Sequence, residues 1–145
     1  MTRINPYLTF NGNTKEVFDF YKSIFGGEFA EMMRYGDVPS SNEMPIADGD
    51  KDKIMHIALP IGSNVLMGGD AIKTNGQKLT EADNFSIAVS PDSREEADRI
   101  FGGLADGGTV EMPLADAFWG DYFGMLRDRF GIQWMVSYNE KYAQD

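Results

Sequence analysis

VFDFYKSIFGGEFAEM, at residues 17–32, is the stretch that decides the fold, because a related stretch, ADRIFGGLADGGTVEM, follows at residues 97–112. In each copy, four apolar residues recur at i, i+3, i+4 and i+7, a spacing that places them on one side of an α-helix. They are Val17, Phe20, Tyr21 and Ile24 in the first copy and Ala97, Ile100, Phe101 and Leu104 in the second. The offset is constant (97 − 17 = 80), and the Glu-Met pairs that close the two stretches keep it. Two copies are too few for a solenoid, so the pattern predicts two similar modules with any ligand between them.

Strand patterns surround both helices and give the order β-α-β-β-β in each module. Apolar and alternating runs bounded by turn residues predict strands at residues 4–10, 28–35, 53–61, 63–69, 85–90, 109–114, 122–127 and 132–138. In the first module we expect Asn13 or Thr14 to cap the helix. In the second, Ser93 and Glu96 match the S-x-x-E capping box.

Composition limits the classes of partner. The chain has 145 residues, of which 42% are hydrophobic, and this is typical of one globular domain. Its net charge of −10 disfavours nucleic acid and membrane surfaces as partners, because their phosphates would be repelled. Cysteine is absent, which excludes disulfides and thiolate chemistry. No stretch approaches the roughly 18 apolar residues of a membrane span, and no signal peptide is visible, so we expect a cytoplasmic protein.

Several short motifs resemble those of one protein family. They are Leu8-Thr9-Phe10-Asn11-Gly12-Asn13, Phe20-Tyr21 followed by Phe25-Gly26-Gly27, Met55-His56-Ile57, Leu66-Met67-Gly68, Phe118-Trp119-Gly120-Asp121-Tyr122-Phe123-Gly124-Met125 and Phe130-Gly131-Ile132-Gln133-Trp134. With them the chain resembles the PhnB-like branch of the vicinal oxygen chelate superfamily, which includes glyoxalase I and bleomycin-resistance proteins. This branch often carries a demethylubiquinone methyltransferase label, yet the sequence has no glycine-rich loop of the kind that holds a nucleoside cofactor.

The resemblance implies an α+β fold in which two βαβββ modules form an open, cup-shaped, mixed eight-stranded sheet with helices on its convex face. We expect one domain over residues 1–145, with the first module at residues 1–72 and the second at residues 84–145. The resemblance also implies a homodimer.

Metal-dependent members of the superfamily hold a divalent ion with His, Gln or Glu on four strands of the cup. By motif, those positions fall near Asn5, Leu66 or Met67, Ser86 and Met135. These side chains are not normal ligands of transition metals, which prefer imidazole and carboxylate. We therefore expect no metal and no cofactor.

Strand alternation predicts which side chains face the cup. It turns Tyr7 and Thr9 inward on the first strand, His56 on the third, Ser86 on the fifth and Gln133 with Met135 on the last. The same alternation buries Phe85 against a helix. His56 is the one histidine of the chain and the natural general acid or base, although a lone histidine on a strand can equally be a hydrogen-bonded structural residue.

Aromatic and methionine residues are the other candidates for ligand contacts. Phe118 and Trp119, with Tyr122 and Phe123, form either an aromatic rim of the cup or part of the dimer interface. Met67 and Met135 would make an adaptable pocket floor. The irregular stretch at residues 36–52 is either a binding loop or a solvated insertion.

Two functions follow from these residues. The first is a metal-free protein that binds a small, mostly apolar organic ligand in the cup. The second is an enzyme of isomerase, lyase or transferase type that uses His56 as general acid or base. An acid–base pair converging on the cup would favour the enzyme, and an aromatic-lined cup without such a pair would favour the binding protein.

Overall fold

The computed structural model describes residues 2–38, 45–72, 79–80 and 82–142, and within these ranges there are two α-helices and eight β-strands. The helices are α1 (Thr14–Phe25) and α2 (Arg94–Ala105). The strands are β1 (Tyr7–Phe10), β2 (Glu31–Arg34), β3 (Ile54–Ile61), β4 (Asn64–Asp70), β5 (Ile87–Val89), β6 (Thr109–Asp116), β7 (Tyr122–Arg127) and β8 (Gln133–Tyr138). The order βαβββ therefore occurs twice, as predicted. Residues 39–44 of the predicted loop and 73–78 of the connection between the modules lie outside the described residues.

The chain divides into two compact units, residues 1–81 (the first unit) and residues 82–145 (the second unit). Each contains one helix and a four-stranded sheet, in the order β1-β4-β3-β2 in the first unit and β5-β8-β7-β6 in the second. The pairs β1–β4 and β5–β8 are parallel and the other pairs are antiparallel, so both sheets are mixed. The predicted α+β fold of two βαβββ modules is confirmed.

The core of the first unit lies between α1 and its sheet. Val17, Phe18 and Tyr21 of α1 are fully buried, as are Ile57 and Leu59 of β3. Phe18 takes the central place that the sequence pattern gave to Phe20, which is only half-buried. A Cβ atom on Gly68 of β4 would lie 2.7 Å from the Phe18 ring, so the glycine lets the helix approach the sheet closely.

The second unit repeats this arrangement with its predicted helix stripe intact. Ala97, Ile100, Phe101 and Leu104 are all buried, and they face Leu126 of β7 with Trp134 and Val136 of β8. Phe85 departs from the prediction. It precedes β5 rather than belonging to it and is 54% exposed, because the strand begins only at Ile87.

The two helices begin in different ways. Ser93 caps α2 as predicted, its Oγ accepting a hydrogen bond from the Glu96 N–H at 3.1 Å. The prediction for α1 was wrong, since the side chain of Asn13 makes no capping hydrogen bond. Asp70, at the end of β4, takes its place: its Oδ1 accepts from the Thr14 N–H at 3.0 Å and from the Thr14 hydroxyl at 2.5 Å.

The constant offset of 80 holds for the helices but not for the strands. At this offset Tyr7 corresponds to Ile87, but the two residues lie on different faces. The buried residues of β1 are Leu8 and Phe10, so Tyr7 faces away from the helix. Ile87 pairs with the buried Trp134 and so lies on the helix-facing side. The two Glu-Met pairs also differ in register. Glu31 pairs with Ala58, while Glu111 falls at a bulge between Val110 and Met112.

Candidate functional site on the open face of the first sheet

One face of the first sheet packs against α1, and the opposite face, here called the first open face, carries the candidate site. Leu8, Ile57 and Leu66 are buried, so alternation turns Tyr7, His56 and Met67 to the first open face. Strand pairing places four residues side by side in one row across this face, in the order Tyr7, Met67, Ala58 and Glu31. Thr9 of β1 and Met33 of β2 lie in the neighbouring row, beside Gly69 and His56 respectively.

His56 and Glu31 lie in contact on this face. The distance from His56 Nε2 to Glu31 Oε2 is 3.1 Å. A carboxylate accepts and cannot donate, so it holds a proton on Nε2 and leaves Nδ1 as the acceptor of the neutral imidazole. Within the described ranges no group hydrogen-bonds to Nδ1. The pair therefore has the carboxylate–imidazole arrangement in which a histidine is oriented for proton transfer.

Sequence reasoning missed the role of Glu31. In the sequence, Glu31 is marked only as part of the repeated Glu-Met pair. The contact depends on the pairing of β2 with β3, which sets Met33 opposite His56 and Glu31 opposite Ala58. The Met-His-Ile run on β3 gives no local signal for that register.

Tyr7 lies beside His56. Their ring centroids are 6.0 Å apart with an interplanar angle of 21°, and Tyr7 Oη donates to the Met55 carbonyl oxygen at 3.3 Å. A Cβ atom at position 69 would lie 2.6 Å from that hydroxyl, so Gly69 leaves the space in which the phenol rests. Burial, with a smaller contribution from the negative charge of Asp70, raises the pKa of Tyr7 and keeps its phenol protonated at neutral pH.

The rest of the first open face is apolar and accessible. Tyr7 is 50% exposed and Met33 is 41% exposed, while Met67 and Thr9 are half-buried. Apolar surface in this amount is a normal contact area for a small ligand. Alternation turns the carboxylate of Glu31 to this face, while Arg34 follows on the same strand beyond a register shift and donates to the Asp52 carbonyl oxygen at 2.7 Å.

The corresponding face of the second sheet, the second open face, has a different lining. Alternation about the buried Leu126, Trp134 and Val136 turns Phe123 and Met125 of β7, with Gln133 and Met135 of β8, to this side. The Gln133 amide is already engaged, since its Nε2 donates to the Phe85 carbonyl oxygen at 3.0 Å. Ser86 immediately precedes β5 and is half-buried.

An aromatic cluster adjoins the second open face. Trp119 contacts Phe123 edge-on at a centroid distance of 5.5 Å and Phe118 at 5.0 Å, and its Nε1 donates to Asp121 Oδ2 at 2.9 Å. Phe118 is 98% exposed. Tyr122 does not join this cluster, contrary to the expected rim of four aromatics. Its hydroxyl donates to Asp98 of α2, so Tyr122 lies on the helix-facing side of the sheet.

A surface groove runs along the helix-facing side of the second unit, between the start of α2 and the ends of β6, β7 and β8. Arg94 dominates it, lying 3.9 Å from the Tyr122 ring centroid and 2.8 Å from Asp116 Oδ1. The hydrogen bond from Arg94 lowers the pKa of Asp116, and the same bond raises the pKa of Arg94. The cation is thus already neutralised, and the groove contains none of the predicted site residues.

The nine predicted site residues divide between the two units. Tyr7, Thr9, His56 and Met67 belong to the first, and Ser86, Phe118, Trp119, Gln133 and Met135 belong to the second. In the first unit the structure brings Tyr7 and His56 together and sets Met67 next to Tyr7 in register. In the second it brings Phe118 and Trp119 together, while Gln133 and Met135 point to the same side of β8.

The side chains at the superfamily's metal positions do not fit a metal ion. The Asn5 amide oxygen is occupied, accepting from the Val65 N–H at 3.0 Å, and the other positions hold thioether, aliphatic or hydroxyl groups. Among the described residues no three His, Asp or Glu side chains are grouped as a metal site would require. His56 and Glu31 supply only two donors, fewer than the three or four protein ligands of a usual transition-metal site. No helix in the described ranges has the length and hydropathy needed to cross a membrane.

Comparison with known proteins gives the same fold and identifies the family of the chain. A model of the family described as 3-demethylubiquinone-9 3-methyltransferase matches residues 2–137. The structure of protein PA1353 from Pseudomonas aeruginosa is 42% identical in sequence, with a TM-score of 0.83 over 96% of this chain and 98% of that one. A putative 3-demethylubiquinone-9 3-methyltransferase, PhnB protein, from Bacillus cereus is 25% identical, with a TM-score of 0.73 over 94% of this chain and 99% of that one.

The fold extends to more distant proteins. A glyoxalase-related enzyme from Fulvimarina pelagi has a TM-score of 0.62 at 17% identity, over 96% of this chain and 89% of that one. This likeness concerns the fold alone. The predicted resemblance to PhnB-like proteins is confirmed by the family model and the Bacillus cereus structure.

Proposed function

The chain belongs to the PhnB-like 3-demethylubiquinone-9 3-methyltransferase family, and on that premise we propose that it binds a small, mostly apolar organic molecule without a metal ion or cofactor. The ligand lies on the first open face, against Tyr7, Met33 and Met67, with His56 as its polar contact. One observation carries this proposal: half-exposed aromatic and thioether groups surround an imidazole whose Nδ1 is an available acceptor. Such a combination of apolar area and one oriented polar group is typical of small-molecule sites.

Methyl transfer, which the family description names, is not part of this proposal. The sequence has no Gly-x-Gly-x-x-Gly string with which a strand-to-helix turn could hold a nucleoside cofactor. A family shares its fold more widely than its chemistry, so the function rests on the site.

Native mass spectrometry of the protein purified from its own cells tests the proposal. We expect a small organic molecule to co-purify, and to be retained less by Met33→Ala. Met32→Ala is the matched control, because Met32 is 45% exposed on the same strand but on the opposite face, paired with Ile57. Equal loss of the molecule in both variants would remove the first open face as its site.

A second candidate function is proton transfer, and the 3.1 Å contact between His56 Nε2 and Glu31 Oε2 favours it. In an enzyme of isomerase, lyase or transferase type, Nδ1 of His56 would take a proton from the substrate, and Glu31 would stabilise the resulting imidazolium. With the co-purified molecule as substrate, His56→Ala should lower turnover about a hundredfold or more while binding persists. Binding with no turnover in the unaltered protein would leave the binding function alone.

We also propose that the protein is a homodimer in which Phe118 and Trp119 lie at or near the interface. Support comes from the exposure of Phe118 next to a second partly exposed aromatic, since paired exposed aromatics are enriched at interfaces. Light scattering at micromolar concentration should give twice the chain mass, and the double variant Phe118→Ala, Trp119→Ala should shift it toward the monomer. A monomeric mass for the unaltered protein contradicts the dimer.

A further inference from the structure

We infer that the ligand of the first open face is a neutral or positively charged ring compound that donates a hydrogen bond, and that anions are excluded. This inference rests on the proposed function and names the chemical class of the ligand. Three properties of the face carry it: the state of its donors and acceptors, its charge, and the nature of its apolar groups.

The donors and the acceptors of the face differ in availability. The Tyr7 hydroxyl donates to the Met55 carbonyl oxygen, and His56 Nε2 lies 3.1 Å from Glu31 Oε2. Nδ1 of His56 and the second carboxylate oxygen of Glu31 have no hydrogen-bond partner within the described residues, and both accept only. A ligand that donates can bond to them, whereas a ligand with acceptors alone cannot.

The first open face carries a negative charge beside its apolar groups. Its strands present the titratable side chains of Tyr7, Glu31 and His56, while Arg34 follows on β2 beyond a register shift and donates to the Asp52 carbonyl oxygen. Glu31 thus supplies a formal negative charge on this face, on a chain whose net charge is −10. Its carboxylate would repel an anion and attract a cation.

The apolar groups suit a ring or a cation. The half-exposed Tyr7 ring offers a π face, which attracts cations and stacks with planar groups. The sulfur atoms of Met33 and Met67 make favourable contacts with aromatic rings and adapt to their shape. A ring compound with an amino or hydroxyl group on a short arm meets all three properties.

Three probes of nearly equal size test the inference: benzylammonium, benzyl alcohol and benzoate. His56 is the one histidine in the chain, so its imidazole NMR signals report on this site without ambiguity. In titrations at pH 7, benzylammonium should bind most tightly and benzyl alcohol more weakly, and benzoate should leave the signals unchanged. Glu31→Gln, which keeps an acceptor for Nε2–H but removes the charge, should weaken benzylammonium about three- to fivefold, as expected for an exposed ion pair.

Glu111→Gln is the matched control, since Glu111 also precedes a methionine on an exposed edge strand but belongs to the second unit. It should leave all three titrations unchanged. Benzoate binding as tightly as benzylammonium, or equal effects of Glu31→Gln and Glu111→Gln, would overturn the ligand class. Failure of the proposed function has a different signature: none of the probes would then move the His56 signals, and Met33→Ala would release no co-purified molecule.

Discussion

The two open faces have the same backbone arrangement and different side chains. In the first, an imidazole lies beside a carboxylate and a phenol, and the second carries Phe123, Met125 and Met135 beside an aromatic cluster. Both sheets have the same strand order and the same parallel first pair. The comparison teaches that a repeated fold supplies a platform, while the side chains on each copy decide what that platform binds.

The helices give a second comparison between the units. In the second unit, Ser93 caps α2 by accepting from the backbone N–H three residues later in the chain. In the first unit, the carboxylate of Asp70, at the end of β4, caps α1. By register, Asp70 pairs with the last residue of β1, and the residue that pairs with the last residue of β5 is Val136. A buried acid in one unit thus corresponds to a buried aliphatic residue in the other. We therefore expect removal of the Asp70 carboxylate to have the largest effect on stability.

Asp70→Ala should destabilise the protein by about 3–5 kcal/mol, because it removes the acceptor from several buried donors at once. Asp70 is 3% exposed, and it accepts from Gly12 N–H and Thr14 N–H as well as from Ile54 N–H at 2.8 Å. Urea denaturation followed by circular dichroism measures the loss. A change below about 1 kcal/mol would mean that these donors find other partners.

Ser93→Ala should cost about 1 kcal/mol, the usual value for a local helix cap. The same denaturation experiment compares it with Asp70→Ala, and Ser93→Thr, which keeps the hydroxyl, serves as the control. If Ser93→Ala were as damaging as Asp70→Ala, the distinction between local and long-range capping would fail.

Tyr35→Phe should show that the Tyr35 hydroxyl contributes to the stability of the protein and that this contribution is lost at alkaline pH. Tyr35 Oη donates to the Asp70 carbonyl oxygen at 3.0 Å, a bond that contributes about 1 kcal/mol. Burial, and then the nearby Tyr7, Asp70 and Asp50, raise the pKa of Tyr35. A raised folded-state pKa gives stability that is fully present below about pH 10, the unfolded value, and is lost as pH rises through the folded value.

The free energies of unfolding of the unaltered protein and Tyr35→Phe, measured from pH 7 to pH 11, check this sign. The advantage of the unaltered protein should be constant up to about pH 10 and shrink above it. An advantage that grows with pH would contradict the assignment.

Glu31→Ala should alter the His56 tautomer with little effect on stability, since both side chains are partly exposed. In the unaltered protein the neutral imidazole should carry its proton on Nε2, which long-range proton–nitrogen NMR detects directly. Without Glu31 the two tautomers should mix, whereas Glu111→Ala should leave the spectrum unchanged. A proton on Nδ1 in the unaltered protein would refute the orientation of the pair.

Phe118→Ala should have the smallest effect on the folded chain, below about 0.5 kcal/mol, because almost the whole ring is exposed. Trp119→Ala should cost more, because Trp119 packs on Phe123 and donates to Asp121. Thermal melts at low protein concentration, where association contributes least, make this comparison. Equal losses would indicate that Phe118 is packed.

Much of the fold was predictable because it depends on local periodicity. The apolar spacing located both helices, Ser93 and Glu96 located the start of α2, and alternation assigned Leu8 and Trp134 to the helix-facing sides of their strands. The family was also readable from short motifs. These signals involve residues within one element, whose relative positions are fixed by helix and strand geometry.

Only the tertiary structure decided the chemistry of the first open face. The Asp70 cap of α1, the Glu31 partner of His56 and the space above Gly69 that receives the Tyr7 hydroxyl each join residues from different strands or loops. Tyr122 likewise turned to α2 rather than to the aromatic cluster, since its place on β7 is set by pairing with Tyr138. Each contact depends on strand register, and a shift of one residue would reverse the face on which the side chain lies. The sequence by itself determined which elements form, and the pairing of those elements determined which side chains meet.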